Sequence, residues 1–253
     1  MEQEAGSQVS AALSKIKIVL VGTTHPGNIG SSARAMKVMG LERLCLVNPK
    51  TAPNAESYAL AAGADDILDT AVIVNHLSEA IAECTAVYGT TARERTLAWP
   101  VLTPREAAES ALAEGIHGNV ALVFGAEHSG LSNEEVSLCQ QLIRIPTAKA
   151  FSSLNLAQAV QVCAYELCVA AKLSPTVRDE SPGGDPPTPI EDTERLYQHW
   201  ISLMTEVGYL FPDNPRLLPQ RVRRMLAKAR FSVSETQIFR GFLAAVEKTR
   251  HKP

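Results

Sequence analysis

The chain has little of what marks an exported or membrane-bound protein. No run in it approaches the roughly 20 apolar residues that cross a bilayer. Residues 1–15 carry two early glutamates and no sustained apolar stretch, which argues against a secretory signal and a transit peptide. The five cysteines, Cys45, Cys84, Cys139, Cys163 and Cys168, include no Cys-x-x-Cys pair and are odd in number. A disulfide framework and a structural metal are therefore not expected, and a reducing cytoplasm fits best. Acid clusters of the kind that hold Mg²⁺ are missing, as are internal repeats and low-complexity tracts. Three common catalytic signatures are also absent. No Gly-Lys-Ser/Thr follows the glycine loops, no Gly-x-Gly-x-x-Gly occurs, and the residue two before Ser129 is Glu127 rather than the glycine of a nucleophile elbow.

What is present is ordinary globular composition: 253 residues, 45% apolar and 20% charged, enough for one full core and a smaller appendage. The net charge of −3 conceals an asymmetry. Residues 190–253 hold 11 Lys and Arg against 7 Asp and Glu, whereas residues 1–189 hold 13 against 20. Within the tail, the window 214–234 contains no acid and carries Arg216, Arg221, Arg223, Arg224, Lys228 and Arg230, a surface suited to phosphate contacts.

Short β-rich runs at 16–22, 44–48, 71–74, 85–90, 120–125 and 142–145 alternate with helical patterns at 29–39, 55–62, 77–83, 104–113, 132–139 and 154–172. Such alternation predicts an α/β domain, a parallel sheet flanked by helices, over residues 1–173. The segment 174–190, containing SPTVRDESPGGDPP, is rich in Pro and Gly and lacks apolar periodicity, so it reads as a linker. Residues 191–253 then show three helix-period segments at 191–208, 215–230 and 234–248, a small all-α extension. Ser234 and Gln237 stand in capping-box spacing at the start of the third. In the second, Leu218, Val222, Met225, Leu226 and Ala229 share one face, and Arg221, Arg224 and Lys228 another.

Four loops fall at expected strand ends. GTTHPGNIGSSARAMKVMG (22–40) leads from a strand into a helix, a placement that binds anions through free amides. LVFGAEHSGLS (122–132) carries a buried strand into Gly-x-Glu-x-x-Gly at the carboxyl edge of the sheet, where ligands of open α/β folds sit. His128 and Ser129 read there as turn and cap, and Glu127 as a possible cap for the next helix. IPTAKAFSSLNLAQAV (145–160) opens a long apolar helix for which Ser152 or Ser153 would serve as N-cap. Asn155 is then unexplained, since its helix propensity is modest. YGTTARER (88–95) runs a strand into small hydroxyl residues and two arginines. Each is an ordinary turn by itself, but four at strand ends suit one ligand pocket.

Asn28-x-Gly30 with Arg34, then Phe124-Gly125-x-Glu127-x-x-Gly130-Leu131, then Ile145-Pro146 with Ser153-Leu154-Asn155, resemble the three ordered motifs of the SPOUT RNA methyltransferases over residues 16–173. Thr24 to Asn28, the stretch Gly89-Thr90-Thr91-Ala92-Arg93 and the tethered helical tail resemble the TrmJ branch of that superfamily. The resemblance implies a deep C-terminal trefoil knot, otherwise nearly absent from proteins. It also implies a homodimer with its pocket at the subunit interface, and 2′-O-methylation of cytidine or uridine at nucleotide 32 of the tRNA anticodon loop. S-adenosylmethionine is then expected against Tyr88, Gly89, Thr90 and Thr91, against Gly125, Ala126 and Glu127, and against Ile145, Pro146, Thr147, Ser153 and Leu154. Asn28, Arg34, Glu127, Ser153 and Asn155 form the expected catalytic group. Arg34 and Arg93, with the tail cations, form the expected RNA contacts. A guanidinium with a pKa above ~12 suits a phosphate anchor better than a general base. Two alternatives stay open: another tRNA or rRNA position as target, and a non-catalytic RNA-binding protein on the same fold. A nucleotide-binding phosphohydrolase is a more distant third.

Overall fold

The computed structural model describes residues 13–92, 99–148, 153–173 and 185–250, which fall into two compact units divided near residue 180. In the first unit, β1 (Ile16–Val21), α1 (Pro26–Val38), β2 (Arg43–Val47), α2 (Ala55–Ala61), α3 (Asp65–Asp69), β3 (Val72–Val74) and α4 (Leu77–Ile81) build one half. The other half comprises β4 (Cys84–Thr90), β5 (Val101–Leu102), α5 (Pro104–Gly115), β6 (Asn119–Phe124), α6 (Asn133–Ser137), β7 (Gln141–Ile143) and α7 (Leu156–Leu173). Among the described residues the strands form one seven-stranded sheet of order β3-β2-β1-β6-β4-β7-β5, with every pairing parallel.

The central strands IKIVLV and NVALVF are near-continuous apolar runs because both faces of a parallel sheet are covered. Ile16, Ile18, Leu20, Val120, Leu122 and Phe124 are all buried in one core. Helices α1 and α5 pack against α7, which buries Val160, Cys163, Ala164, Leu167 and Ala171 at helical spacing. The contact of α1 with α2 is unusually close: a Cβ on Gly30 would lie 2.0 Å from the Ser57 carbonyl oxygen. The order of winding changes side between β1 and β6, with β2 and β3 on one flank and β4, β7 and β5 on the other.

Two short elements lie outside the sequence expectation. Strand β5 has two residues and helix α3 has five, too few to establish a period. Strand β5 exists because β7 supplies its backbone partners, with the Leu142 and Arg144 amides donating to Pro100 and Leu102 at 2.8 and 2.9 Å.

The second unit contains α8 (Ile190–Glu206), α9 (Leu218–Ala229) and α10 (Val233–Arg250) around Leu196, Tyr197, Leu203, Val222, Leu226 and Leu243. Phe231 and Phe239, 5.0 Å between ring centroids, close one side of this core. Residues 185–190, expected within the linker, are built into this unit. The Thr188 amide donates to the Phe231 carbonyl at 2.9 Å, Val233 donates to Pro186, and the buried Thr188 and Thr236 hydroxyls pair at 2.7 Å. The expected Ser234–Gln237 capping box is replaced by one two residues earlier, Ser232 with Glu235, while Asp185 binds Ser234. Met225 is 49% exposed rather than buried with Val222 and Leu226. No helix among the described residues is long and apolar enough to cross a membrane.

Candidate active site

The parallel sheet delivers the loops after β1, β4, β6 and β7 to one edge, and the start of α7 joins them there. After β6 the chain doubles back sharply. Gly130 donates to the Ala126 carbonyl at 2.8 Å, and a Cβ on Gly125 would lie 2.2 Å from the Leu131 nitrogen. Glycine is required at 125 by this close approach of the loop to itself.

The turn projects Glu127 toward the loop after β1, the neighbouring strand. Its Oε2 accepts from the Thr24 amide at 3.0 Å and the Thr24 hydroxyl at 2.9 Å. Its Oε1 accepts from Asn28 Nδ2 at 2.8 Å and the His25 amide at 3.3 Å. The carboxylate thus satisfies two amides of the loop just before α1 and the Asn28 side chain in its first turn, where the helix dipole also favours negative charge. Partial burial pushes its pKa up, but the hydrogen bonds from Asn28, from its own backbone and from Thr24 outweigh that and hold it at about 2.

The network continues into the third motif. Asn28 Oδ1 accepts from Asn155 Nδ2 at 2.9 Å, and Asn155 Oδ1 accepts from the Ala157 amide at 2.9 Å and the Gln158 amide at 3.4 Å. Asn155 rather than Ser153 therefore meets the first free amides of α7, a task its short amide performs better than its helix propensity suggests, and Ser152 lies outside the described residues. Glu127 likewise serves α1, while α6 is capped by Ser132 with Glu135.

Beside this chain lies a cleft of about 320 Å³, the lower end of the range for small-molecule sites. Thr90, Thr91, Gly125, Ala126, Glu127, Ile145, Thr147, Ser153 and Leu154 all line it. Phe124, Leu131, Ile143, Leu156 and Ala159 supply an apolar wall, and Ala92, His128, Ser129 and Gly130 extend the rim. Phe124, Gly130, Leu131 and Ala92 stand in the quoted motifs but not among the expected cofactor contacts, whereas Ile143, Leu156 and Ala159 read from sequence as core and His128 and Ser129 as a turn.

One family model, described as the SpoU rRNA Methylase family, matches residues 15–165. A Cronobacter sakazakii protein named tRNA (cytidine/uridine-2′-O-)-methyltransferase TrmJ is 45% identical over 242 residues, 95% of this chain and 99% of the relative. A Klebsiella pneumoniae protein of the same name is 46% identical over 93% of this chain and 98% of its own. The chain belongs to the TrmJ family of methyltransferases. A second model, the TrmJ C-terminal domain, matches residues 191–253, which coincide with the helices of the second unit. The crystal structure of TrmJ from Z. mobilis ZM4 superposes with a TM-score of 0.81 at 35% identity, covering 91% of this chain and 98% of that one.

The TrmJ-like residues do not all converge. Pro146 is exposed and, like Tyr88 and Gly89, is not among the cleft-lining residues. The Tyr88 ring is buried with its hydroxyl 2.7 Å from that of Ser110, and a Cβ on Gly89 would press on Cys139 Sγ at 2.8 Å. Asn28 and Asn155 are not among the cleft-lining residues, and their hydrogen bonds tie the Glu127 loop to the start of α7. Arg34 is exposed on α1, does not line the cleft, and has no hydrogen bond or ion pair among the described residues. In the second unit Arg216, Arg221, Lys228 and Arg230 are exposed. Arg223 is occupied within its own unit, bonded to Glu194 and lying 4.0 Å over the Tyr197 ring. Arg224 is half-buried, and Arg93 lies outside the described residues.

Proposed function

We propose that this methyltransferase uses S-adenosylmethionine to methylate the ribose 2′-hydroxyl of cytidine or uridine at nucleotide 32 of tRNA, in the cytoplasm. The observation that carries the reading is the hydrogen-bonded chain Glu127–Asn28–Asn155, which ties three separated motifs to the wall of one cleft. The relatives' shared name supports the reaction class and the tRNA substrate. The five cysteines are free and buried, in keeping with a reducing compartment.

The lining fits the cofactor in kind. Phe124, Leu131, Ile143 and Leu156 offer an apolar slot for a purine, while Thr90, Thr91, Thr147 and Ser153 offer hydroxyls for a ribose and an amino-acid head. When bound, S-adenosylmethionine supplies a methyl group already activated on a sulfonium. What is left for the protein is placement of the ribose oxygen in line and relief of its developing charge. Glu127 holds the loop after β1 by its amides, Asn28 transmits that position to Asn155, and Asn155 sets the start of α7 that carries Ser153 and Leu154 to the cleft.

Arg34 is suited to grip the phosphate beside the target ribose with its bidentate fork. Its exposed position, six residues beyond Asn28 and off the cleft lining, favours delivery to the cleft of a second copy. Exposed apolar side chains on or next to the adjoining helices, Val38 on α1, Leu154 just before α7 and Tyr165 on α7, support a homodimer. The placement of β7 between β4 and β5, strands joined by residues 91–100, fits the knotted thread of the superfamily. Arg216, Arg221, Lys228 and Arg230 then contact tRNA backbone beyond the loop. The test is to incubate unmodified tRNA with protein and labelled cofactor, digest it, and map the product by mass spectrometry. A 2′-O-methylcytidine or 2′-O-methyluridine at position 32 is expected; label at another position, on a base, or not at all overturns the reading.

A further inference from the structure

The loop joining α8 to α9, residues 207–217, leaves two aromatic side chains in water. Tyr209 is 64% exposed and Phe211 65%, in a chain with only 5% aromatic residues. Between them Leu210 is buried, so the loop is pinned by its middle residue and turns its neighbours outward. The backbone is held as well. Gly208 adopts φ +72°, the Tyr209 and Leu210 amides both donate to the Met204 carbonyl at 2.9 Å, and Asn214 donates to Phe211 at 3.0 Å. Large rings fixed on the surface in this way lose little conformational entropy on binding a flat partner.

The charge that follows them along the chain selects the partner. Asp213 is the acid of this loop, and none follows until Glu235. Arg216 in the loop and Arg221 and Lys228 on α9 are exposed. An apolar protein surface gains nothing from that run of cations, whereas a polyanion bearing flat bases engages rings and cations together. We propose that Tyr209 and Phe211 form a stacking platform for unpaired bases of RNA, with Arg216, Arg221 and Lys228 holding the flanking phosphates. The proposal rests on the reading of the second unit as a tRNA-binding module, and adds that it recognises an unpaired segment rather than duplex backbone alone.

The test uses the full chain and fluorescence anisotropy with two probes, a single-stranded RNA of about 12 nucleotides and the same strand annealed to its complement. Tyr209→Leu with Phe211→Leu keeps apolar bulk and removes both aromatic faces; Tyr209→Phe with Phe211→Tyr keeps them. The leucine pair is expected to lose about tenfold in affinity for the single strand, within the span for removing a base-stacking ring. Duplex affinity and salt slope should stay unchanged, and the aromatic pair should bind as the native chain does. Equal affinity in the leucine pair, an equal loss on both probes, or a change in oligomeric mass overturns the platform. A third variant, Arg216→Ala with Arg221→Ala and Lys228→Ala, separates the two readings. If it alone weakens RNA binding, the platform falls and the basic module stands; if neither variant does, both fall.

Discussion

Glu127 combines two tasks in one carboxylate: it neutralises the start of α1 and locks the β1 and β6 loops together. Its depressed pKa makes it a stabilising group with a defined pH window. The contribution is complete above its unfolded value near 4.5 and is lost as pH falls through about 2. Glu127→Gln should therefore lower Tm at neutral pH, and the gap to the native protein should narrow between pH 4.5 and 2 in thermal melts. A gap independent of pH would remove the electrostatic account. Asn155 separates capping from signalling. Asn155→Ala loses both the cap and the bond to Asn28, at a cost of about 1 kcal/mol. Asn155→Asp keeps an acceptor for the Ala157 and Gln158 amides but has no donor for Asn28. The aspartate variant should keep Tm and lose methyl transfer, read as turnover against melting temperature.

Among the elements, α1 is the most constrained, since it presents Asn28 at one end, Arg34 on its exposed face and Gly30 against α2. The Ser57 carbonyl occupies the space a side chain at position 30 would need. Gly30→Ala should overpack that contact, destabilise by about 1–3 kcal/mol, and lower activity by displacing Asn28, measurable as a Tm several degrees lower. Helix α9 offers a contrast between neighbouring cations. Arg223 is bound to Glu194 and stacked on Tyr197, so Arg223→Ala should loosen the second unit and leave the salt slope of tRNA binding nearly intact. Arg221 is exposed, so Arg221→Ala should leave the melt unchanged and reduce that slope by about 1. The two arginines are indistinguishable by residue type. What differs is that helical spacing and the path of α8 bring Glu194 and Tyr197 to one of them.

For the molecule as a whole, each unit has its own core, so residues 1–173 should fold and bind cofactor without the second unit, with weakened affinity for tRNA as the measurable cost. Delivery of Arg34 across a homodimer predicts intragenic complementation. An Arg34→Ala chain co-expressed with a Gly125→Val chain, whose loop cannot close, should regain activity that neither variant shows alone. The alternation of apolar runs with helical patterns, the charge asymmetry and the three motifs were legible in the residues, because period, composition and local turn chemistry are properties of neighbouring positions. So was the family, since Asn28, Glu127 and Asn155 keep their order and their strand or helix context. Tertiary structure alone decided who caps whom. Glu127 holds a loop about a hundred residues upstream, Asn155 takes the cap expected of a serine, β5 borrows its partners from β7, and Arg223 turns inward while Arg34 is exposed. For Glu127, β5 and Arg223 the deciding partner lies 29 or more residues away along the chain, and only the packing of strands in the first unit and of helices in the second brings the two together.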